Sequence, residues 1–509
     1  MLGRISTLCF QGLDVKPVDV QVQLSPGLPA FFLVGLPDKA VAESKERVRS
    51  ALYTLGLVMP AKRITVNLSP ADVQKEGSHY DLPIALALLS SLGAVSKDAL
   101  LSFVALGELS LDGKLISTGG SLSAALFASR HQKGLICPFN DGAEAAWAGD
   151  LQIVASKTLL SVINHLKGTQ VLAPPTPLVQ TKNISKKNLS DVKGQRLAKR
   201  ALEIAASGGH NILMIGPPGA GKSMLAERLP SILPPLSPLE ALEVTMIHSF
   251  DKGIKDGRLL KQRPFRGPHH SASMAALIGG GIKGHPGEVS LAHGGVLFLD
   301  ELPEFNRALL DALRQPLETG EAVIARANTH ITYPARIQLV AAMNPCPCGH
   351  LENPQKQCRK APLCAERYQK RISGPLLDRI DMFITMQPLS PFALDKIPEE
   401  ESSEDVRKRV LAAWEKQGKR AQEKSFTTTT FLNGQCTFQA LEKVLNIKEN
   451  ARHIVQETAT QMGFSTRSYH KTLRIARTIA DLENSNSIEK IHAAEALSYR
   501  LWADSSTRG

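Results

Sequence analysis

Eight residues, GPPGAGKS, run from Gly216 through Pro217, Pro218, Gly219, Ala220, Gly221 and Lys222 to Ser223, directly after a short apolar stretch from Asn211 to Ile215. They match G-x-x-x-x-G-K-[ST] at every fixed position, the pattern of a phosphate-binding loop. Glycines in that frame let successive backbone N–H groups turn toward phosphate oxygens, Lys222 can neutralise the β and γ charges of ATP, and Ser223 can ligate Mg²⁺. A helix predicted from Met224 to Leu229 adds its N-terminal dipole. Further on, VLFLDE at 296–301 reads as a buried strand ending in two carboxylates. Asp300 could hold Mg²⁺ and Glu301 could polarise an attacking water, since γ-phosphate transfer needs an oriented nucleophile more than covalent help.

Two more groups suit the same reaction. A third apolar strand, Ile337 to Ala342, leads to Asn344, whose amide can position a lytic water or the γ-phosphate; the segment SGPLLDRID then presents Arg379, whose charge suits a transition-state phosphate, in this subunit or a neighbouring one. Between them lie Cys346, Cys348, His350, Cys358 and Cys364. Four thiolates could close a tetrahedral Zn²⁺ site and His350 could replace one of them. C-x-C is tighter than the usual zinc spacing, so reduced, unliganded cysteines are the alternative. Cys9, Cys137 and Cys436 are isolated, and seven cysteines imply no disulfide framework.

These groups need rigid elements to position them, and the 509-residue chain is long enough for about three domains. Residues 1–170 alternate β-rich runs (Val18 to Leu24, Phe31 to Val34, Arg63 to Leu68, Leu135 to Cys137) with helical stretches (Lys39 to Leu55, Leu82 to Leu92). Residues 171–188, rich in proline at their start, read as a linker; 189–392 form an α/β core that includes the cysteine segment 346–364; 393–424 connect; and 425–509 read as helix nearly throughout. Of 60 basic and 48 acidic side chains, residues 1–170 carry 15 and 14, so a net +11 falls on the rest. That half is compatible with a polyanion such as nucleic acid. The longest apolar stretch, Leu82 to Val95, is too short and too polar for a membrane span, and Ile5 to Leu13 lacks the apolar core of a secretory signal, so a cytoplasmic protein without membrane contact is expected.

GPPGAGKS, VLFLDE, AAMNP and SGPLLDRID, in this order, resemble the AAA+ ATPases of the magnesium-chelatase and MCM-helicase branch. More narrowly, the chain resembles the ComM/YifB family over essentially its whole length, through PFRGPHHSAS at 264–273, GGGIKGHPGEVSLAHGG from Gly279 and GLPDKAVAESKERVRSAL from Gly35. The resemblance implies a hexameric ring that uses ATP and Mg²⁺ as a branch-migration helicase on single-stranded or branched DNA during natural transformation. A chelatase-type or MoxR-like ATPase that remodels a protein partner is the alternative. It implies an N-terminal Lon-protease-like α/β domain, an AAA+ αβα core and a C-terminal helical lid. It gives Lys222 and Ser223 to nucleotide and metal, Asp300 and Glu301 to Walker B, Asn344 to the first sensor and Arg379 to the arginine finger. Arg467 matches the second sensor, with Arg474 two turns along as the other candidate. Two pore insertions would carry Lys283 and Arg326 toward a DNA backbone. In the Lon-like domain His79 and Leu122 occupy the positions of the serine and lysine of the protease, and Ser78 lies one residue off without a base, so peptidase activity is not expected.

Overall fold

The computed structural model describes residues 2–179, 187–250, 258–281, 284–325, 330–349, 351, 360–388, 400–423 and 432–500. Seven strands, β1 (Leu2–Gln11), β2 (Asp14–Ser25), β3 (Ala30–Val34), β4 (Arg63–Ser69), β5 (Phe103–Ala105), β6 (Gly134–Pro138) and β7 (Ile153–Ser156), form one mixed sheet ordered β3-β4-β2-β1-β5-β6-β7. β1 was not visible as a strand in the sequence, because Ser6 and Thr7 interrupt its apolar alternation. It nevertheless lies inside the sheet, paired antiparallel to β2 and parallel to β5. The helix Asp81–Ser91 is buried at every residue, as its all-round apolar sequence demands. It crosses β1 so closely that a Cβ on Gly3 would stand 1.9 Å from the Ala87 carbonyl oxygen. The single helix expected over Lys39 to Leu55 is two, Lys39–Ala42 and Ser44–Thr54, meeting at Glu43.

The second sheet is wholly parallel. Its strands belong to the series β8 (Ile212–Ile215), β9 (Phe265–Arg266), β10 (Val296–Leu299), β11 (Glu321–Ala325), β12 (His330–Pro334), β13 (Gln338–Met343) and β14 (Met382–Thr385). β11 and β12 stand apart as an antiparallel hairpin, and the others are ordered β9-β10-β13-β8-β14. β8, β10 and β13 are buried along their whole length, the pattern of strands covered on both faces. Ile212 stands opposite both Val340 and Met382, so every strand points the same way and the segments after β8, β10 and β13 emerge on one edge.

Helices Ser403–Glu423, Phe438–Val444, Glu449–Gln461, Thr466–Leu482 and Lys490–Ser498 follow. Helix is not continuous over 425–509: Ile488 makes an extended bridge with Ile447 before the last helix, and 501–509 lie outside the described residues. These helices share one apolar cluster with β8, β10 and the helix Arg196–Gly208, and Trp414 and Gln417 donate to the carbonyls of Ala206 and Ser207 at 2.9 Å each. A buried ion pair, Lys471 Nζ to Asp381 Oδ1 at 2.8 Å, ties helix Thr466–Leu482 to the start of β14. The first sheet docks on the second through Gly120 N–H donating to Ser249 Oγ and an edge-on Phe10–Phe250 ring contact. Leu13, in the β1–β2 turn, packs on Ile324, Ile331 and Tyr333 of the β11–β12 hairpin.

Candidate nucleotide site

After β8 the chain turns through Gly219 (φ 79°) and Gly221 (φ 88°) and enters a helix at Lys222, two residues earlier than the sequence suggested. A Cβ at either glycine would meet nothing within 4 Å, so it is the left-handed backbone that calls for glycine there, and the space beside the loop is open. Lys222 Nζ donates to the carbonyls of Gly216 (2.7 Å) and Pro217 (2.9 Å) and to Asn344 Oδ1 (3.1 Å). Burial lowers its pKa, with Asp300 and Glu301 pulling the other way. Ser223 Oγ donates to Asp300 Oδ2 at 2.6 Å. A hydroxyl and a carboxylate in contact at the foot of an open, N–H-rich loop are the oxygen donors a hard divalent cation takes beside a phosphate chain.

Glu301 adopts φ 52°, unusual for a residue with a side chain. Its N–H donates to Asp300 Oδ1 at 2.9 Å, and its carboxylate lies 3.4 Å from His270 Nδ1. His270 sits in the PFRGPHHSAS block and drew no role from the sequence; only the fold brings β9 beside β10. Gln195 was missed outright. Its amide donates to the carbonyls of Ala220 (3.1 Å) and Gln387 (2.6 Å), tying the loop to the segment after β14.

The cysteine segment lies on the same edge: a Cβ on Gly349 would come 2.3 Å from Pro218 Cδ. Cys346 and Cys348 have their sulfurs 3.2 Å apart. Among the described residues no group of three or more His, Cys, Asp or Glu side chains is arranged to hold a metal, and His350 and Cys358 lie outside them.

Arg379 is on the opposite edge. It precedes β14, whose first residue pairs with the first residue of β8, so about 13 Å of strand separates it from the loop that follows β8. Its Nε donates to the Arg314 carbonyl (3.1 Å), one Nη to the Pro375 carbonyl (2.7 Å) and the other to Glu318. Arg467 also reaches Glu318, at 3.4 Å, and Arg474 donates to the Gly434 carbonyl at 3.3 Å. All three arginines line one cleft of about 580 Å³. The structure therefore joins Lys222, Ser223, Asp300, Glu301 and Asn344 in one place, and Arg379, Arg467 and Arg474 in another.

Lys283 and Arg326 lie outside the described residues. In the first sheet's half, Ser78 Oγ donates to Glu108, and the buried Lys75 ammonium donates to the Pro70 carbonyl. His79 is buried with its ring nitrogen 2.9 Å from the Leu8 carbonyl, and Leu122 is fully buried.

Family models for magnesium chelatase subunit ChlI match residues 188–394, its subunit ChlI domain 20–141, and its C-terminal domain 400–500. The chain is 44% identical to the competence protein ComM of Haemophilus influenzae, over 98% of this chain and 97% of that one. It is 42% identical to the uncharacterized protein YifB of Salmonella typhimurium, over 98% and 97% respectively. The magnesium-chelatase 38 kDa subunit of Rhodobacter capsulatus is 29% identical over 31% of this chain and 49% of its own. Full-length identity of this order, together with a phosphate loop, a strand-end carboxylate pair and a strand-end asparagine on one edge of a parallel sheet, places the chain in the magnesium-chelatase-like ComM/YifB family of AAA+ ATPases.

Proposed function

We propose that the chain is an ATP-driven, ring-forming DNA motor, a branch-migration helicase that promotes integration of incoming DNA in natural transformation. The observation that carries the ring is the split site. Lys222, Ser223, Asp300 and Asn344 gather on one sheet edge while Arg379 sits about a strand's length away on the other, which supports a phosphate at Lys222 being met by a neighbour's Arg379. Six subunits are the number the family resemblance implies. Residues 1–170, 189–392 and 425–509 serve as an N-terminal Lon-like domain, motor core and lid.

Within one site, the loop N–H groups and Lys222 hold the ATP phosphates, Ser223 and Asp300 hold Mg²⁺, and Asn344 and Glu301 orient water. Bound there, Mg²⁺ would supply charge neutralisation of the phosphate oxygens. Lys222 would exchange its carbonyl partners for phosphate oxygens, a gain in charge complementarity. Glu301→Gln protein should bind ATP and stall. Zn²⁺ at Cys346, Cys348, Cys358 and Cys364 belongs to the same reading, and the 3.2 Å approach of the Cys346 and Cys348 sulfurs is what supports it.

The net +11 on residues 171–509 and the similarity to a competence protein support DNA as the track. The chelatase family models support the other reading, a remodelling ATPase acting on a protein partner. Strand displacement on a branched DNA substrate, with and without ATP and at two salt concentrations, separates them. ATP-dependent displacement that weakens steeply with salt is expected of the motor. Turnover indifferent to single-stranded and branched DNA at both salts, yet responsive to a protein partner, would favour remodelling.

A further inference from the structure

Arg379 is not free to reach outward. The short helix Arg314–Thr319 grips it at both ends, through the Arg314 carbonyl on Nε and the Glu318 carboxylate on Nη2. The same carboxylate is shared with Arg467 from helix Thr466–Leu482, so one acid joins two cations that come from segments far apart in sequence. The arrangement is lopsided in charge: Arg379, Arg467 and Arg474 outnumber Glu318 and Asp378 around the cleft, while Asp381 is already taken by Lys471. A cleft so lined attracts a further anion, and phosphate oxygens compete well with a single carboxylate for a guanidinium fork.

The gripping helix has a second connection. It ends at Gly320, in the left-handed conformation (φ 72°) with its N–H donating to the Pro316 carbonyl at 2.9 Å, and the next residue begins β11 of the hairpin. A Cβ on Gly320 would come 2.9 Å from Arg336 Cγ, so the turn is closely packed as well as conformationally demanding. Whatever shifts Glu318 therefore acts on the element that leads straight into the hairpin.

We propose that Glu318 is a positioning residue, a latch that parks Arg379 and Arg467 on the helix leading into the β11–β12 hairpin until the phosphate of a nucleotide held by a neighbouring subunit draws the two guanidinia away. The latch rests on the reading that Arg379 serves a neighbour's site. It adds that the arginines are held back by a specific carboxylate, and that their release frees the helix end at the hairpin's root. Breaking the two Glu318 pairs costs free energy that assembly must supply, so Glu318 raises the ATP concentration needed to form rings.

The experiment measures, on full-length protein, the ATP concentration at half-maximal ring assembly by sedimentation, using Glu301→Gln as the background so that ATP is not consumed. Glu318→Gln keeps the side chain's size and removes its charge; the half-maximal concentration should fall at least about threefold, the effect of two partly exposed ion pairs. Glu318→Asp keeps the charge and should return the value toward that of the parent. In an Arg379→Ala, Arg467→Ala background, Glu318→Gln should change nothing, because the latch acts only through those arginines. An unchanged half-maximal concentration in folded Glu318→Gln protein, or an equal fall without the arginines, overturns the latch. If the parent protein forms no ring with ATP, or Arg379→Ala retains full turnover, the neighbour-site reading falls and the latch with it. If Arg379→Ala abolishes turnover while Glu318→Gln leaves assembly unmoved, the latch alone falls.

Discussion

The two edges of the parallel sheet are built on opposite principles. On the edge where β8, β10 and β13 end, the side chains already hold one another: Lys222 on Asn344 and two loop carbonyls, Ser223 on Asp300. Asp300 and Asn344 lie one residue past a strand end, and Lys222 and Ser223 open the helix that the glycine loop launches from β8, so the sheet's register and one local turn assemble them. On the lower edge, where β14 begins, as against the upper edge where β8, β10 and β13 end, the candidate cations come from a loop and from the C-terminal helices, and they are turned onto Glu318. The first edge gathers its groups within one chain, whereas the second, on the proposed reading, serves a neighbouring chain. On that reading a half-site that waits for a partner is held meanwhile by the Glu318 carboxylate, which both arginines contact.

The sharpest way to break this comparison is to remove one cation from each edge. Lys222→Ala should weaken ATP binding at least about tenfold, the loss of a charge-assisted partner. Arg379→Ala should leave binding intact and lower turnover by about a thousandfold, since a finger acts on transition-state charge. Mixing the two inactive proteins should restore hydrolysis if the edges meet between subunits; mixed rings confirmed by mass and still inactive would count against it.

A second test attacks the seam that supports the lower edge. Lys471 and Asp381 are both buried and pair at 2.8 Å, so Lys471→Ala strands a carboxylate in the interior. Denaturant unfolding should show a loss of about 3–5 kcal/mol, whereas an exposed upper-edge change such as Glu301→Gln should be nearly silent in stability. Equal stability of the two variants would mean that the lower edge is not more dependent on tertiary packing than the upper.

Acid should act in the same direction by a smaller amount. Burial pushes the His210 pKa down to about 4, with Asp381 opposing and Arg474 and Lys471 assisting the shift. A histidine depressed in the folded state contributes stability that is complete above pH 6.5, its unfolded value, and is lost as pH falls toward 4. His210 joins the core to helix Thr466–Leu482 through Thr478 at 2.8 Å, so acid should loosen that seam by up to about 3 kcal/mol. Burial brings His79 in the N-terminal half to about 4 as well, and this adds to the whole-chain slope. His210→Gln should flatten part of the stability profile between pH 6.5 and 4.5 followed by thermal unfolding; an unaltered profile would remove His210 from the account. The smallest effect is expected at the cysteine segment. Metal analysis should find about one Zn²⁺ per chain if four thiolates ligate it, and Cys364→Ser should lower that content with modest change in turnover. Metal-free protein of full stability under reducing conditions would return these residues to ordinary thiols.

Much of the upper edge was legible because its chemistry is local. A phosphate loop must follow a strand and open a helix, and a carboxylate pair must end a strand, so Gly216 to Ser223, Asp300, Glu301 and Asn344 stand out by type and spacing. His270 and Gln195 did not, since they reach the site only through strand order and a long-range hydrogen bond. β1 was hidden for a related reason. Its serine and threonine read as polar, yet β2 pairs on one side, β5 on the other, and the helix Asp81–Ser91 covers it.

The sequence by itself determined the phosphate loop, the carboxylate strand and the alternation of strands and helices, because each depends on backbone conformation and side-chain chemistry within a few neighbouring residues. Only the tertiary structure decided on which edge each cation lies. Arg379 and Lys222 are separated by the direction of parallel strands, and Arg379 and Arg467 are brought together by the packing of C-terminal helices on the core. Neither relation is a property of spacing: 61 residues separate Glu318 from Arg379 and 149 separate it from Arg467, distances over which the chain's own geometry constrains nothing until the core has formed.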